Sequence, residues 1–387
     1  MLVRTLIDTL RLGEDPLPEL GRQWTAAGIS DLLPLVAYEG AGIWLFRRLR
    51  ALRIFETLPA GFREQLKAQA FAAAMRGLRV EEEAVATLRL LGAAGVPVVL
   101  IKGIARRALA PEFPYLDARI TNDVDLLLPL DRIREGYDLL VGQGYEQTDP
   151  DDANRRDHHH LPGLWNQRRI AVELHATTSS RISPEVAWVR ATEDGREVDW
   201  GDLRVRVPAP TEMAWAATTH AINDMIVQGH RLQHFLEVAA LAHSRPGLDW
   251  SLLRRRTGES ETFDEASGAT YPPVVARQWL HGSLQLVSST ARPPELPPPA
   301  LDLESLLGWR LAILRARKTL GRPLSERLLE EGVRQLIGVD QERAPPGTRP
   351  MYRLRRRLAG RMSRVVYRAW RAVRRQPATL FRIAVPS

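Results

Sequence analysis

The amino-acid sequence predicts an α+β fold: a small mixed β-sheet core with helices, flanked by N-terminal and C-terminal helical regions. Three observations carry that expectation. Residues 32–91 repeat apolar side chains at three- and four-residue spacing in an Ala-, Leu-, Arg- and Glu-rich background, the pattern of amphipathic helix. Between 93 and 208 short apolar or alternating runs interleave with helical ones. From Thr211 onward the helical pattern returns.

Taken in order, Gly92 and Gly95 end the first helical run. Val96-Pro97-Val98-Val99-Leu100-Ile101 then reads as a buried strand closed by Lys102-Gly103, and residues 104–110 resume a helical pattern. Residues 118–129 alternate polar and apolar before Leu126-Leu127-Leu128 and read as a second strand. Asp131 is expected to N-cap the next helix, which Gly144 terminates, returning the chain as a third strand at 145–147. Residues 158–164 and 169–176 read as strands flanking Trp165-Asn166-Gln167, and 202–207 as another. The expected organisation is an N-terminal helical region at 1–92, an α/β core at 93–208 and a helical domain at 209–292. A Pro-rich linker at 293–300, a helical segment at 301–345 and a basic amphipathic helix or tail at 346–387 follow. No internal repeat is present.

Composition excludes several chemistries. The 387 residues include no cysteine, which removes disulfides, thiolate zinc sites, iron–sulfur clusters and cysteine nucleophiles. A hydrophobic fraction of 44% suffices for proper cores. No apolar run reaches the length of a transmembrane helix, and Asp8, Arg11 and Glu14 interrupt the first residues as a secretory segment. A cytoplasmic protein is expected. The net charge of +8 is unevenly spread: residues 351–387 hold eleven arginines and no Lys, Asp or Glu, so residues 1–350 sum to −3.

The chemistry concentrates in Arg119-Ile120-Thr121-Asn122-Asp123-Val124-Asp125. On a strand, residues i and i+2 project from one face, so Asp123 and Asp125 present two carboxylates toward one site. Carboxylates that close repel unless a hard cation such as Mg²⁺ lies between them. Glu173, in Ile170-Ala171-Val172-Glu173-Leu174-His175, is a third candidate acid. Three acids can support two metals, one activating a hydroxyl and one holding a triphosphate. Lys102 offers phosphate a point charge, and Gly103 lets backbone approach it. Each residue alone suits an ordinary strand-edge role. Their order, strand–Lys–Gly–helix–Arg–strand–Asp-x-Asp–helix–strand–Glu, points to phosphoryl-transfer chemistry.

In these motifs the sequence resembles the DNA polymerase β-like nucleotidyltransferase superfamily, and within it the bacterial group of nucleotidyltransferase family proteins. The resemblance rests on Ile101-Lys102-Gly103, Tyr115, Arg119 with Asp123 and Asp125, Gly144-Tyr145, and Val172-Glu173-Leu174-His175. It covers about 80 residues closely. It implies a nucleotidyltransferase-type mixed sheet whose acids Asp123, Asp125 and Glu173 bind Mg²⁺ or Mn²⁺ and transfer a nucleoside monophosphate from an NTP. Lys102, Gly103, Arg119 and His175 are then the nucleotide-binding residues. One departure stands out: the wider superfamily carries Gly-Ser or Gly-Gly where this chain has Lys102-Gly103, which implies a different cradle for triphosphate.

The remaining histidines divide by setting. His175 falls on Glu173's side of the strand, where it contacts phosphate, orients the acid, or is a core-edge histidine bonded to backbone. His158-His159-His160 are adjacent and do not converge easily on one ion, so a solvated or substrate-gating loop is favoured, with His160 kept as a substrate contact because proteins of this kind carry a His in the region. His230 and His234 share a helix face and are candidates for substrate contact, against a buried network, including Glu237, that packs the helix on the core.

The acceptor hydroxyl is open: a small molecule, a peptide natural product, a protein or tRNA. The alternatives to a biosynthetic transferase for a peptide or polysaccharide pathway are a toxin-like enzyme modifying RNA or protein, and a catalytically degenerate nucleotide-binding module. Residues 351–387 place Leu354, Leu358, Met362, Val365, Val366, Trp370 and Val373 at mostly helical spacing among the arginines. Such a helix serves an anionic membrane, RNA phosphates or an acidic partner, or packs on the body with a solvated Arg face. In the first case the protein is peripheral at a membrane surface.

Overall fold

The computed structural model describes residues 2–13, 20–24, 29–113, 115–148, 161–178, 182–227, 232–243, 247–259, 262–264, 269–271 and scattered positions between 280 and 314. His160, His230, the Pro-rich segment 293–300, most of 301–345 and the whole of 346–387 lie outside the described residues.

Helices α1 (Leu2–Leu10), α2 (Leu20–Gln23), α3 (Leu32–Tyr38) and α4 (Gly42–Ala51) open the chain. They pack around Trp24 and Trp44, both fully buried. Helix α5 (Ala60–Ala93) has 34 residues, so it runs about 50 Å. Its buried residues Phe62, Leu66, Ala70, Val80, Ala84, Thr87 and Leu91 recur at helical spacing, one stripe that serves the N-terminal helices at its start and the sheet at its end. At the C-terminus Gly95 takes φ +67°. Its N–H donates to the Gly92 carbonyl at 3.0 Å and that of Val96 to Leu91 at 2.9 Å, the paired bonds of a Schellman stop.

Strand β1 (Val99–Leu100) follows, shorter than the expected 96–101 because Pro97 has no N–H to give a ladder. Then come α6 (Lys102–Leu109), β2 (Asp123–Leu127), α7 (Ile133–Gly142), β3 (Glu146–Gln147), β4 (Leu164–Trp165) and β5 (Ala171–His175). The five strands form one mixed sheet in the order β1-β2-β5-β4-β3, in which only β2 and β5 run parallel. Val124, Leu126, Val172 and Leu174 face the main core. The opposite face carries Asp123, Asp125 and Glu173, beside a small cluster of Val99, Ile101, Leu127 and Ala191.

Asp131 does not cap α7, which starts at Ile133 with Arg132 in the N-cap position and no side-chain cap bond. Trp165 belongs to β4, and the expected strand 158–164 reduces, within the described residues, to its last residue. The turn after β4 is fixed from outside: Asn166 Nδ2 donates to both oxygens of buried Glu83 on α5, at 3.0 and 2.9 Å, and Tyr145 donates to Glu83 at 2.5 Å.

After α8 (Pro184–Thr192), strands β6 (Arg196–Trp200) and β7 (Leu203–Val207) form a hairpin of their own around Gly201-Asp202. Only the second of these was expected. Helices α9 (Pro210–Val227), α10 (Leu232–His243) and α11 (Trp250–Glu259) confirm the helical stretch from Thr211. It is followed by a small hairpin of β8 (Thr262–Asp264) and β9 (Ala269–Tyr271), which the sequence did not suggest. No helix among the described residues is long and apolar enough to cross a membrane.

Candidate active site

Parallel pairing of β2 with β5 sets Asp125 opposite Glu173 and Leu127 opposite His175. On this register His175 Nε2 lies 2.9 Å from Asp125 Oδ1 and 3.4 Å from Glu173 Oε2. The three donor atoms lie within 4.8 Å of one another, the compact metal-competent group among the described residues. Asp123 shares the strand face but is not a member of it. Two carboxylates and an imidazole form a donor set suited to a divalent cation. Lys102, the first residue of α6, sends its ammonium into that set, 2.6 Å from Asp125 Oδ1.

The electrostatics separate the two aspartates. Burial pushes both carboxyls up. For Asp125 the charge of Lys102 and the hydrogen bond and charge of His175 more than reverse that, holding it well below the usual carboxylate range. Asp123 is pushed up to about 6 by burial and by the charges of Asp125 and Glu173. The Glu173 carboxyl is lowered: burial opposes, but the His175 hydrogen bond and Lys102 prevail. Lys102 is raised, because Asp125 and Glu173 outweigh its burial.

In comparison with known proteins, residues 25–271 match the model of a family described as uncharacterised nucleotidyltransferases. The chain belongs to that family. No curated protein matches it. Family membership gives the fold its nucleotidyltransferase type and points to nucleotidyl transfer, with an NTP as substrate and a divalent metal at the acidic group.

Gly103 is packed tightly: a Cβ there would meet Arg119 Nη1 at 2.6 Å and Thr121 Cγ2 at 2.7 Å, so its bareness admits protein side chains to the start of α6. Arg119 is buried, pairs with Glu237 of α10, and donates to the Ile120 carbonyl at 3.0 Å. Arg106 of α6 binds the other Glu237 oxygen at 2.9 Å. Burial opposes ionisation of Glu237, but the two arginines hold its carboxyl below the ordinary range. His234 is buried in the same network, edge-on to His220 at 5.3 Å and 3.9 Å from Glu237 Oε1.

Two supports were missed in the sequence. Arg106 had only the amphipathic pattern of its helix to signal it. Arg76 of α5 donates from Nε to Asn122 Oδ1 at 2.6 Å and so steadies the residue before Asp123, a pairing 46 positions apart that local spacing does not show.

Proposed function

We propose that the protein is a metal-dependent nucleotidyltransferase that moves a nucleoside monophosphate from an NTP to an acceptor hydroxyl. The observation that carries this reading is the β2–β5 register, which gathers Asp125, Glu173 and His175 into one donor group beside Lys102. Those three residues, with Asp123 on the same strand face, would hold Mg²⁺ or Mn²⁺, and the metal would neutralise phosphate charge as a Lewis acid. Lys102 supplies the ammonium that a triphosphate needs, while Arg119, held on Glu237, adds to the local positive field, and Gly103 keeps Arg119 close to the start of α6. The acceptor oxygen forms its bond to the α-phosphorus as the bond to the bridging oxygen breaks. The electron pair leaves with pyrophosphate. Glu173, partly exposed and ionised at neutral pH, takes the acceptor proton.

The test is incubation with each labelled NTP and Mg²⁺ or Mn²⁺, with and without total tRNA or cell extract. The fraction that takes label identifies the acceptor class, including toxin-like modification of RNA or protein. Asp125→Asn and Asp123→Asn each lower transfer by roughly a thousandfold or more with an unchanged circular dichroism spectrum. Full activity in both variants would refute the assignment. A second reading, a nucleotide-binding module without transfer, is favoured by Lys102 already neutralising Asp125. NTP binding with no labelled product in any fraction decides for it.

A further inference from the structure

Lys102 combines a costly backbone with an unusual place for its ammonium. Its φ is +50°, in the left-handed region that residues with a Cβ rarely enter. From there Nζ reaches 2.6 Å from Asp125 Oδ1, 3.5 Å from His175 Nε2 and 3.9 Å from Glu173 Oε2. These are the residues of the metal-competent group. An ammonium so placed occupies the Asp125 oxygen that a divalent cation would bond at about 2.1 Å. Two cations cannot share that oxygen in a buried site without strong repulsion.

We propose that Lys102 is a resident cation that the metal must displace, and that the nucleotide's phosphates receive the displaced ammonium, so that metal and nucleotide bind cooperatively. This rests on the metal-dependent reading above. In the absence of metal the lysine neutralises acids that are otherwise buried side by side. Once displaced it needs another anion, and a triphosphate brings one. Arg106 and Arg119, the neighbouring buried cations, are both tied to Glu237, so the lysine is the group whose partner can change. Free metal then binds weakly, and metal with nucleotide binds well.

Binding of Mn²⁺ to the full chain, followed by electron paramagnetic resonance with and without α,β-methylene ATP or GTP, tests the exchange. Lys102→Met removes the charge. Lys102→Gly also removes it, and accepts φ +50° without strain, which guards against a folding defect. Both variants should bind free Mn²⁺ on the order of tenfold more tightly than the wild type, a size typical of coupled sites. The nucleotide analogue, which tightens Mn²⁺ binding to the wild type, should add little in either variant. If the wild type binds Mn²⁺ with the analogue but neither variant binds free Mn²⁺ more tightly, the exchange is overturned and the metal reading stands. If no protein binds Mn²⁺ under any condition, both fall.

Discussion

Asp123 and Asp125 stand two residues apart on one strand face, yet the protein holds their carboxyls far apart in acidity. Asp123, at about 6, lies above the roughly 3.9 of an unfolded chain. A carboxyl raised in the folded state contributes stability that is complete below the unfolded value and is lost as pH rises through the folded one. Ionised Asp123 therefore weighs on the fold at pH 8. Asp123→Asn should raise the unfolding free energy by on the order of 1–2 kcal/mol at pH 8 and by little at pH 4, read from urea titrations at the two pH values. An equal effect at both would show that Asp123 is not the group at fault. The same substitution is expected to abolish transfer, stability gained where function is lost. The pair itself was legible in the sequence, and so was His175 on the side of Glu173, since both follow from the two-residue period of a strand. Their different acidities were not. They depend on Lys102, which reaches Asp125 through a backbone angle that spacing does not reveal, and on His175, which meets Asp125 from 50 positions away only through the β2–β5 register.

At the scale of elements, the signals that survived are those with a local cause. Gly95 and Gly144 were expected to stop helices, and both take positive φ where α5 and α7 end. Gly144 has φ +85° and open space around a would-be Cβ, so Gly144→Ala isolates the backbone cost at roughly 1–2 kcal/mol. Gly142, the last helical residue of α7, also has open space but no positive φ, and Gly142→Ala should stabilise by roughly 0.5–1 kcal/mol. Thermal unfolding of the two variants should therefore move in opposite directions. The misread elements have mixed causes, a partner far along the chain in one case and an overlooked local hairpin turn in the other. The β4 turn is set by Glu83 on α5, and β6 forms because β7 pairs with it across Gly201-Asp202. In Arg196-Glu197-Val198-Asp199-Trp200 the charged residues hide a valid alternation with Val198 buried.

Over the whole molecule, charge is unevenly placed. The positive excess belongs to residues 351–387, and removing them would turn +8 into −3. Retention of the full chain on heparin or anionic vesicles at low salt should vanish with that segment. Glu39, just past α3, is a buried carboxylate that joins segments far apart in the chain. One Glu39 oxygen accepts the Leu232 N–H at 2.6 Å, its carbonyl accepts the Gln233 N–H at 3.2 Å, and the other carboxylate oxygen pairs with Arg310. The N-terminal helices, α10 and the segment around Arg310 therefore meet at one buried carboxylate, and the Arg310 guanidinium also lies over the Tyr38 ring. Removing one member of a buried pair strands the other's charge, whereas replacing both with apolar groups does not. Glu39→Ala should cost roughly 3–5 kcal/mol of unfolding free energy, and the double variant Glu39→Met with Arg310→Met should recover most of it. If urea unfolding shows the two single-site losses simply adding, Glu39 and Arg310 contribute separately and the convergence of the three segments has another cause.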